Sequence, residues 1–276
     1  MQILNDPTPW WGSVDSQPLS IIDLIAAGTV PVAQAGALWW AVEHGASFFT
    51  AGGPSGAGKS TLANALLSFL PAAARIYVVS GRDDPFILPA GSEPTYLLIS
   101  ELSSHGRPFY LSGPAALRAF TLLRTGVRMI GTLHAETVDE AVNAVLGAEM
   151  EIPARDIARL TFIAIIRVDG PRDERGRVER RRPDLTRRVI EIGLLSASDA
   201  GVRVLRLANW NERSERLQPA GAPAGVAALA AWAGLDVVMV ETSIRTRIDV
   251  LTDLLHAGLR TMDDVAAAVR ALRAQT

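Results

Sequence analysis

Cysteine is absent from all 276 residues, which removes a disulfide framework, a thiolate metal site and a cysteine nucleophile together. Lysine is nearly absent: Lys59 is the single one, and arginine carries the rest of the positive charge. Neither sign of charge dominates, because 27 basic residues face 29 acidic ones for a formal net charge of -2. With no whole-molecule field to draw the chain onto phosphate backbones, nucleic acid is not an expected partner. No apolar run reaches bilayer-spanning length, and the opening MQILNDPTPWWGSVDSQ lacks the basic start and unbroken apolar stretch of a signal peptide. The expectation is a cytoplasmic chain without a transmembrane segment. Its 49% hydrophobic content suffices for one full core and a smaller appendage.

Residues 1–17 read as an arm that frays or docks by Trp10 and Trp11. Ile21, Ile22, Leu24 and Ile25, then Ala35, Leu38, Trp39 and Val42, recur at helical spacing and predict two short helices. A strand at 47–51, a glycine-rich loop and a helix at 60–69 come next, the helix stopped by Pro71. The strand-length runs 75–80, 95–102 and 128–133, with a loop at 81–94 and a helix near 114–125, predict a parallel sheet buried on both faces. After a helix near 136–148, the segments 160–168, 187–195 and 202–210 read as antiparallel additions at one edge. Pro219 to Pro223 form a hinge candidate, and helical patterns occupy 224–233, 241–257 and 261–273. The expected class is α/β, with a mainly parallel central sheet, antiparallel edge strands and a small C-terminal helical region. The expected division is 1–45 as arm and short helices, 46–218 as the catalytic domain and 219–276 as the helical region.

Gly53-Pro54-Ser55-Gly56-Ala57-Gly58-Lys59-Ser60 matches G-x-x-x-x-G-K-[ST] at every fixed position, and Thr61 continues it into the helix. It succeeds a predicted strand and opens a predicted helix, the context in which backbone N–H groups can wrap a diphosphate. Lys59 supplies a mobile point charge for the β and γ oxygens, and the Ser60 hydroxyl completes a magnesium shell. The cofactors expected are therefore ATP and Mg2+. An apolar run, Tyr96 to Ser100, ends in Glu101. That carboxylate either polarises the attacking water, directly or through magnesium, or is a solvated glutamate at a strand end. His134, in Gly131-Thr132-Leu133-His134-Ala135-Glu136, stands where the next strand meets a helix. On position alone it reads first as structural and second as a γ-phosphate sensor. Asp83 and Asp84 are turn residues by default and metal or water ligands if they lie on the same rim. Eight arginines and four acids between Pro171 and Arg188 read as a solvated hairpin, or as a docking surface for a subunit, anionic lipid or an acidic partner.

The loop alone is common to kinases, ABC transporter ATPases and RecA-like motors, so the order of the motifs downstream of it decides. The arginine-rich substrate segment of guanylate-kinase-like enzymes is absent, and Leu111-Ser112-Gly113 comes after Glu101 where an ABC signature would precede it. From about residue 18 onward the chain resembles the traffic ATPase superfamily, the hexameric motors of type II and type IV secretion, type IV pili and archaeal flagella. Asp83 and Asp84 stand where that family's Asp box falls, Ile99-Ser100-Glu101 resembles its Walker B, and Thr132-Leu133-His134-Ala135 closely resembles its His box. Gly113 to Ala119 resembles the helix after Walker B, Arg187 to Ile192 its returning strand, and Ile244 to Leu255 its terminal helical segment.

The resemblance implies a RecA-like core, ATP bound between subunits of a hexameric ring, Glu101 as catalytic carboxylate and His134 as nucleotide-state sensor. It also implies an inner-membrane platform protein of a secretion or pilus system as partner, with the ATPase peripheral at the inner face of the cytoplasmic membrane. Three departures bear on activity: only residues 1–52 precede the loop where the family carries a folded N-terminal domain, Ser100 replaces the usual glycine, and the Asp box is rewritten as Gly81-Arg82-Asp83-Asp84-Pro85. Slow hydrolysis is therefore expected. The alternatives are a nucleotide-binding scaffold with weak or no hydrolysis, and a P-loop small-molecule or nucleotide kinase.

Overall fold

In the computed structural model, the residues described are 2–4, 18–53, 56–104, 107–147, 150–171, 185–211, 213–214, 216–219 and 222–275. The strands are β1 (Gln2–Ile3), β2 (Phe48–Ala51), β3 (Arg75–Val78), β4 (Thr95–Leu102), β5 (Arg128–Leu133), β6 (Phe162–Asp169), β7 (Thr186–Ser198), β8 (Gly201–Asn211) and β9 (Arg216–Pro219). They form one sheet in the order β1-β3-β4-β5-β2-β6-β7-β8-β9. The strands from β1 to β6 pair in parallel, and β7, β8 and β9 add antiparallel. The helices are α1 (Ile21–Ala26), α2 (Val32–Glu43), α3 (Lys59–Leu67), α4 (Gly113–Leu122), α5 (Val138–Leu146), α6 (Ala154–Ile157), α7 (Ala222–Ala233), α8 (Val237–Ala257) and α9 (Met262–Arg273).

Strand side chains alternate between the two faces of the sheet, and two cores result. On one face Phe48, Ile76, Leu98, Ile130 and Phe162 pack beneath α1, α2, α3 and the helices α7, α8 and α9. On the other Phe49, Tyr77, Leu97, Met129 and Ile163 pack beneath α4, α5 and α6. Every residue of β2 is buried, including Thr50, whose hydroxyl is satisfied by a backbone carbonyl.

Three details differ from the sequence reading. The segment containing β6 pairs in parallel with β2, so the antiparallel extension begins one strand later, because an apolar run buried on both faces carries no mark of direction. Gln2 and Ile3 pair with Arg75 and Ile76 of β3, whereas Trp10 and Trp11 lie outside the described residues. At the hinge candidate, Pro219 ends β9 and α7 begins at Ala222.

The C-terminal helices are tied to the end of α2. Arg247 of α8 donates to Glu43 at 2.6 and 3.0 Å, and Arg273 of α9 donates to the other Glu43 oxygen. The Arg273 guanidinium also reaches the carbonyls of Phe69 and Leu70, just past α3. The Arg247 guanidinium lies 5.6 Å from the centroid of the Trp39 ring, and the single Glu43 carboxylate at the end of α2 ties α8 and α9 to the segment that leads into β2 and the glycine-rich loop.

Candidate functional site

The loop between β2 and α3 turns at the C-terminal edge of the parallel strands, where ligands bind in open α/β sheets. Gly58, the residue before α3, has φ of +103° and no side chain to cap the helix. A side chain would strain this backbone, and without one the first-turn N–H groups of α3 stay available to an anion. Gly53 answers to a different constraint, since a Cβ there would sit 2.4 Å from Glu136 Oε1. Thr50 Oγ1 donates to the Lys59 carbonyl at 2.9 Å and ties β2 to the first turn of α3. Gly56 and Ala57 complete the described part of the loop; Pro54 and Ser55 lie outside it.

Strand order brings Glu101 and His134 to this loop. The acid-tipped strand β4 is not beside β2: β5 lies between them, pairing Phe49 with Gly131 on one side and Ile99 with Gly131 on the other. The register of β4 against β5 then shifts between Ile99 and Leu102. Such a bulge re-aims a side chain, and here the re-aimed residue is Glu101, 7% exposed. Its Oε2 accepts from the Thr132 hydroxyl at 2.8 Å.

Its Oε1 makes no hydrogen bond, yet lies 3.1 Å from His134 Nε2 and 4.0 Å from Lys59 Nζ. His134 Nδ1 approaches the Gly53 carbonyl at 2.6 Å and Lys59 Nζ at 3.2 Å. The carbonyl can only accept and the ammonium can only donate, so the two contacts call for opposite tautomers: Nδ1–H serves Gly53, and a bare Nδ1 serves Lys59 with the hydrogen on Nε2 facing Glu101. Lys59, Glu101 and His134 thus surround one point above the N-terminus of α3.

A cavity of about 600 Å³ opens there, lined by Gly56, Gly58, Lys59, Ser60, Thr61, Glu101 and His134. Leu19, Leu24, Ala27 and Thr29 supply an apolar wall from the segment around α1. Arg187 of β7 lines it as well, its Nε donating to the Gly56 carbonyl at 3.1 Å. The sequence reading missed Arg187 as a site residue because it is one of eight arginines in a short stretch, with nothing to single it out before the sheet was known.

Asp83 and Asp84 do not line this cavity. Asp83 is exposed. Asp84 is buried at 1%, and its carboxylate accepts from the Tyr77 hydroxyl, the Ser80 amide and hydroxyl and the Phe86 amide, all between 2.7 and 2.9 Å. Burial first, and the bond to Asp84 second, push the Tyr77 hydroxyl up to about 12, so it remains a donor at neutral pH. Most of the arginine-rich stretch, residues 172–184, lies outside the described residues, and so does the docking surface expected of it. His44, assigned no function from sequence, bonds the Trp40 carbonyl and stacks on the Trp40 ring.

No protein-family model matches the chain. An uncharacterized protein of Methanocaldococcus jannaschii is 29% identical over 157 residues, covering 49% of this chain and 28% of that one. The chain therefore matches well under a third of that relative's length. Among solved structures, the VirB11 ATPase from the Brucella suis type IV secretion system, in complex with sulphate, aligns at a TM-score of 0.34 and 14% identity over 59% of this chain and 53% of that one. The Yersinia pseudotuberculosis ATPase DotB aligns at 0.37 and 13% over 92% and 63%. These are likenesses; the chemistry open to the cavity is set by its own residues.

Proposed function

We propose that this chain binds ATP with Mg2+ in the cavity above α3 and hydrolyses it slowly, as a ring-forming motor of the traffic ATPase kind. The observation that carries the reading is the convergence of Lys59, Glu101 and His134 within 3.1 to 4.0 Å at an uncapped helix N-terminus. A helix N-terminus with a lysine in its first turn favours phosphate. A carboxylate oxygen beside that lysine and His134, with no hydrogen bond of its own, suits a metal-bound or attacking water.

The residues present fit magnesium. Among the described residues no three His, Asp or Glu side chains converge as a metal cage, which matches a cation that takes most of its ligands from phosphate and water. Ser60 would hold the ion directly and Glu101 through a water. Bound there, magnesium supplies charge neutralisation on the β and γ oxygens. The protein's own part is positional: Lys59 holds the terminal phosphate, Glu101 orients the water, and His134 stands between the glycine-loop carbonyl and the carboxylate. Arg187, bonded to the loop backbone, is placed to track the loop when phosphate fills it.

The secretion or pilus assignment, the hexamer and the inner-membrane platform partner rest on the motif resemblance. Among the described residues no single helix is long and apolar enough to cross a membrane. Engagement of Asp84 in a turn favours a second reading, a nucleotide-binding scaffold with little hydrolysis, since the acid expected to serve the metal is occupied elsewhere.

Steady-state ATPase activity with magnesium, measured beside Lys59→Ala and Glu101→Gln with light scattering on the same samples, tests the proposal. The expected result is turnover below about 10 per second, the median for enzymes, from a ring. Both variants should be inactive, with ATP binding retained only in Glu101→Gln. Nucleotide left intact after long incubation would establish the scaffold instead. A monomer that consumes ATP only when a phosphate acceptor is added would establish a kinase.

A further inference from the structure

The register shift that re-aims Glu101 sets two residues of β4 against one of β5. Ile99 pairs with Gly131 and Leu102 with Leu133, which leaves Ser100 and Glu101 opposite Thr132 alone. Thr132 is fully buried. Its hydroxyl lies 2.6 Å from the Ser100 carbonyl and 2.8 Å from Glu101 Oε2. Both neighbours are acceptors and a hydroxyl carries one hydrogen, so it serves them one at a time.

The rest of the bulge has ties of its own. The Leu111 amide donates to the Glu101 carbonyl at 2.9 Å, and the Ser100 hydroxyl to the Phe109 carbonyl at 2.7 Å. Neither contact fixes the Glu101 side chain. Among the described residues its carboxylate accepts one hydrogen bond, from Thr132, while Lys59 and His134 cover Oε1. Lys59 and His134 each answer to the glycine-rich loop as well, through the carbonyls of Gly52 and Gly53. Thr132 belongs to β5, held between β4 and β2.

We propose that Thr132 is the positioning residue for Glu101, giving its one hydrogen to Oε2 so that Oε1 keeps its aim when phosphate recruits Lys59. The inference rests on the reading of Glu101 as the group that orients the attacking water. Lys59 leaves the carboxylate as it turns to the nucleotide, and the hold from the sheet side stays. Thr132 therefore acts on turnover through Glu101 and touches no part of the nucleotide.

Steady-state turnover and isothermal titration with ATP, run on the full chain and on Thr132→Val and Thr132→Ser, test it. Thr132→Val removes the hydroxyl and keeps the shape. It should lose about a hundredfold in kcat, the cost of a catalytic group held out of line, with Kd for ATP within about twofold of wild type. Thr132→Ser restores the hydrogen without the methyl group and should recover most of that kcat. Should the valine variant misfold, as seen by circular dichroism, Thr132→Ala carries the same expectation with no bulk to force the bulge apart. An unchanged kcat in Thr132→Val, a loss that Thr132→Ser fails to recover, or a loss matched by weaker ATP binding overturns this inference and leaves the reading of Glu101 standing. A wild type that binds ATP and never consumes it overturns that reading, and this inference with it.

Discussion

Glu101 and Asp84 are both deeply buried, at 7% and 1% exposure, and the groups around each decide their different fates. Asp84 spends both oxygens on four donors, the Tyr77 hydroxyl of β3 and three from its own turn, so it organises the segment after β3. Glu101 spends one oxygen on Thr132 and leaves the other without a hydrogen bond, beside Lys59 and His134, a cost that makes sense where a ligand completes the shell. Removing the Asp84 carboxylate strands the Tyr77 hydroxyl, the Ser80 amide and the Phe86 amide. Asp84→Ala should therefore cost about 3 kcal/mol, several unmet donors acting less than additively. Asp83→Ala, at an exposed position, should stay within about 0.5 kcal/mol of wild type. Urea denaturation of the two variants checks the pair. Equal and small losses would mean that the Asp84 network does not stabilise the turn.

At the scale of elements, α6 shows how four residues can hold a helical turn. Asp156 is fully buried and accepts two bonds from Arg124, at 2.7 and 2.5 Å, from the turn just past α4. That guanidinium, acting first through its hydrogen bonds, holds the Asp156 carboxyl below the usual carboxylate range. A depressed carboxyl contributes stability that is present above its unfolded pKa of about 3.9 and is lost as pH falls through the lower folded value. The stability difference between wild type and Asp156→Asn should accordingly be constant from pH 8 to 5 and shrink below about pH 4. Denaturation midpoints across that range measure it. A gap that persists unchanged at low pH would show that packing, not the ion pair, holds α6.

The same scale shows what could be read in advance. Strands β4 and β5 were bounded to the residue, because each is an apolar run between a turn and a charged or polar end. The position of the glycine-rich loop was legible because Gly58 and Lys59 mark the start of a helix that follows an apolar strand, and the structure has that loop between β2 and α3. By contrast β1 and β9, of two and four residues, are defined by the strand they lie against and leave no periodic trace. The direction of β6, the insertion of β5 between β2 and β4, and the approach of Arg187 to Gly56 are all products of strand order. Local sequence does not encode strand order, so the membership of Glu101 and His134 in one site was open until the sheet placed them together. The choice between turn and metal for Asp84 was open for the same reason: it depends on where Tyr77 and Ser80 point.

For the whole molecule, the question is whether the C-terminal helices behave as a separate unit. Val240, Ile244 and Leu251 of α8 and Val265 and Val269 of α9 are buried in the same cluster as Trp39, Phe48 and Phe162. Taking these helices away would expose one face of the sheet together with α1 and α2. Glu43 concentrates that coupling, since it joins α2, α8 and α9 through Arg247, itself 6% exposed, and Arg273. Breaking a buried ion pair from one side leaves an uncompensated charge and costs about 3 to 5 kcal/mol. Because the helices and the sheet share that core, the loss should fall on the entire chain. Wild type and Glu43→Ala should each unfold in a single transition, tracked alike by circular dichroism and tryptophan fluorescence, with the midpoint of the variant lower. A variant in which helical signal is lost first, while the sheet and ATP binding persist, would mean that α8 and α9 fold on the sheet without being needed by it.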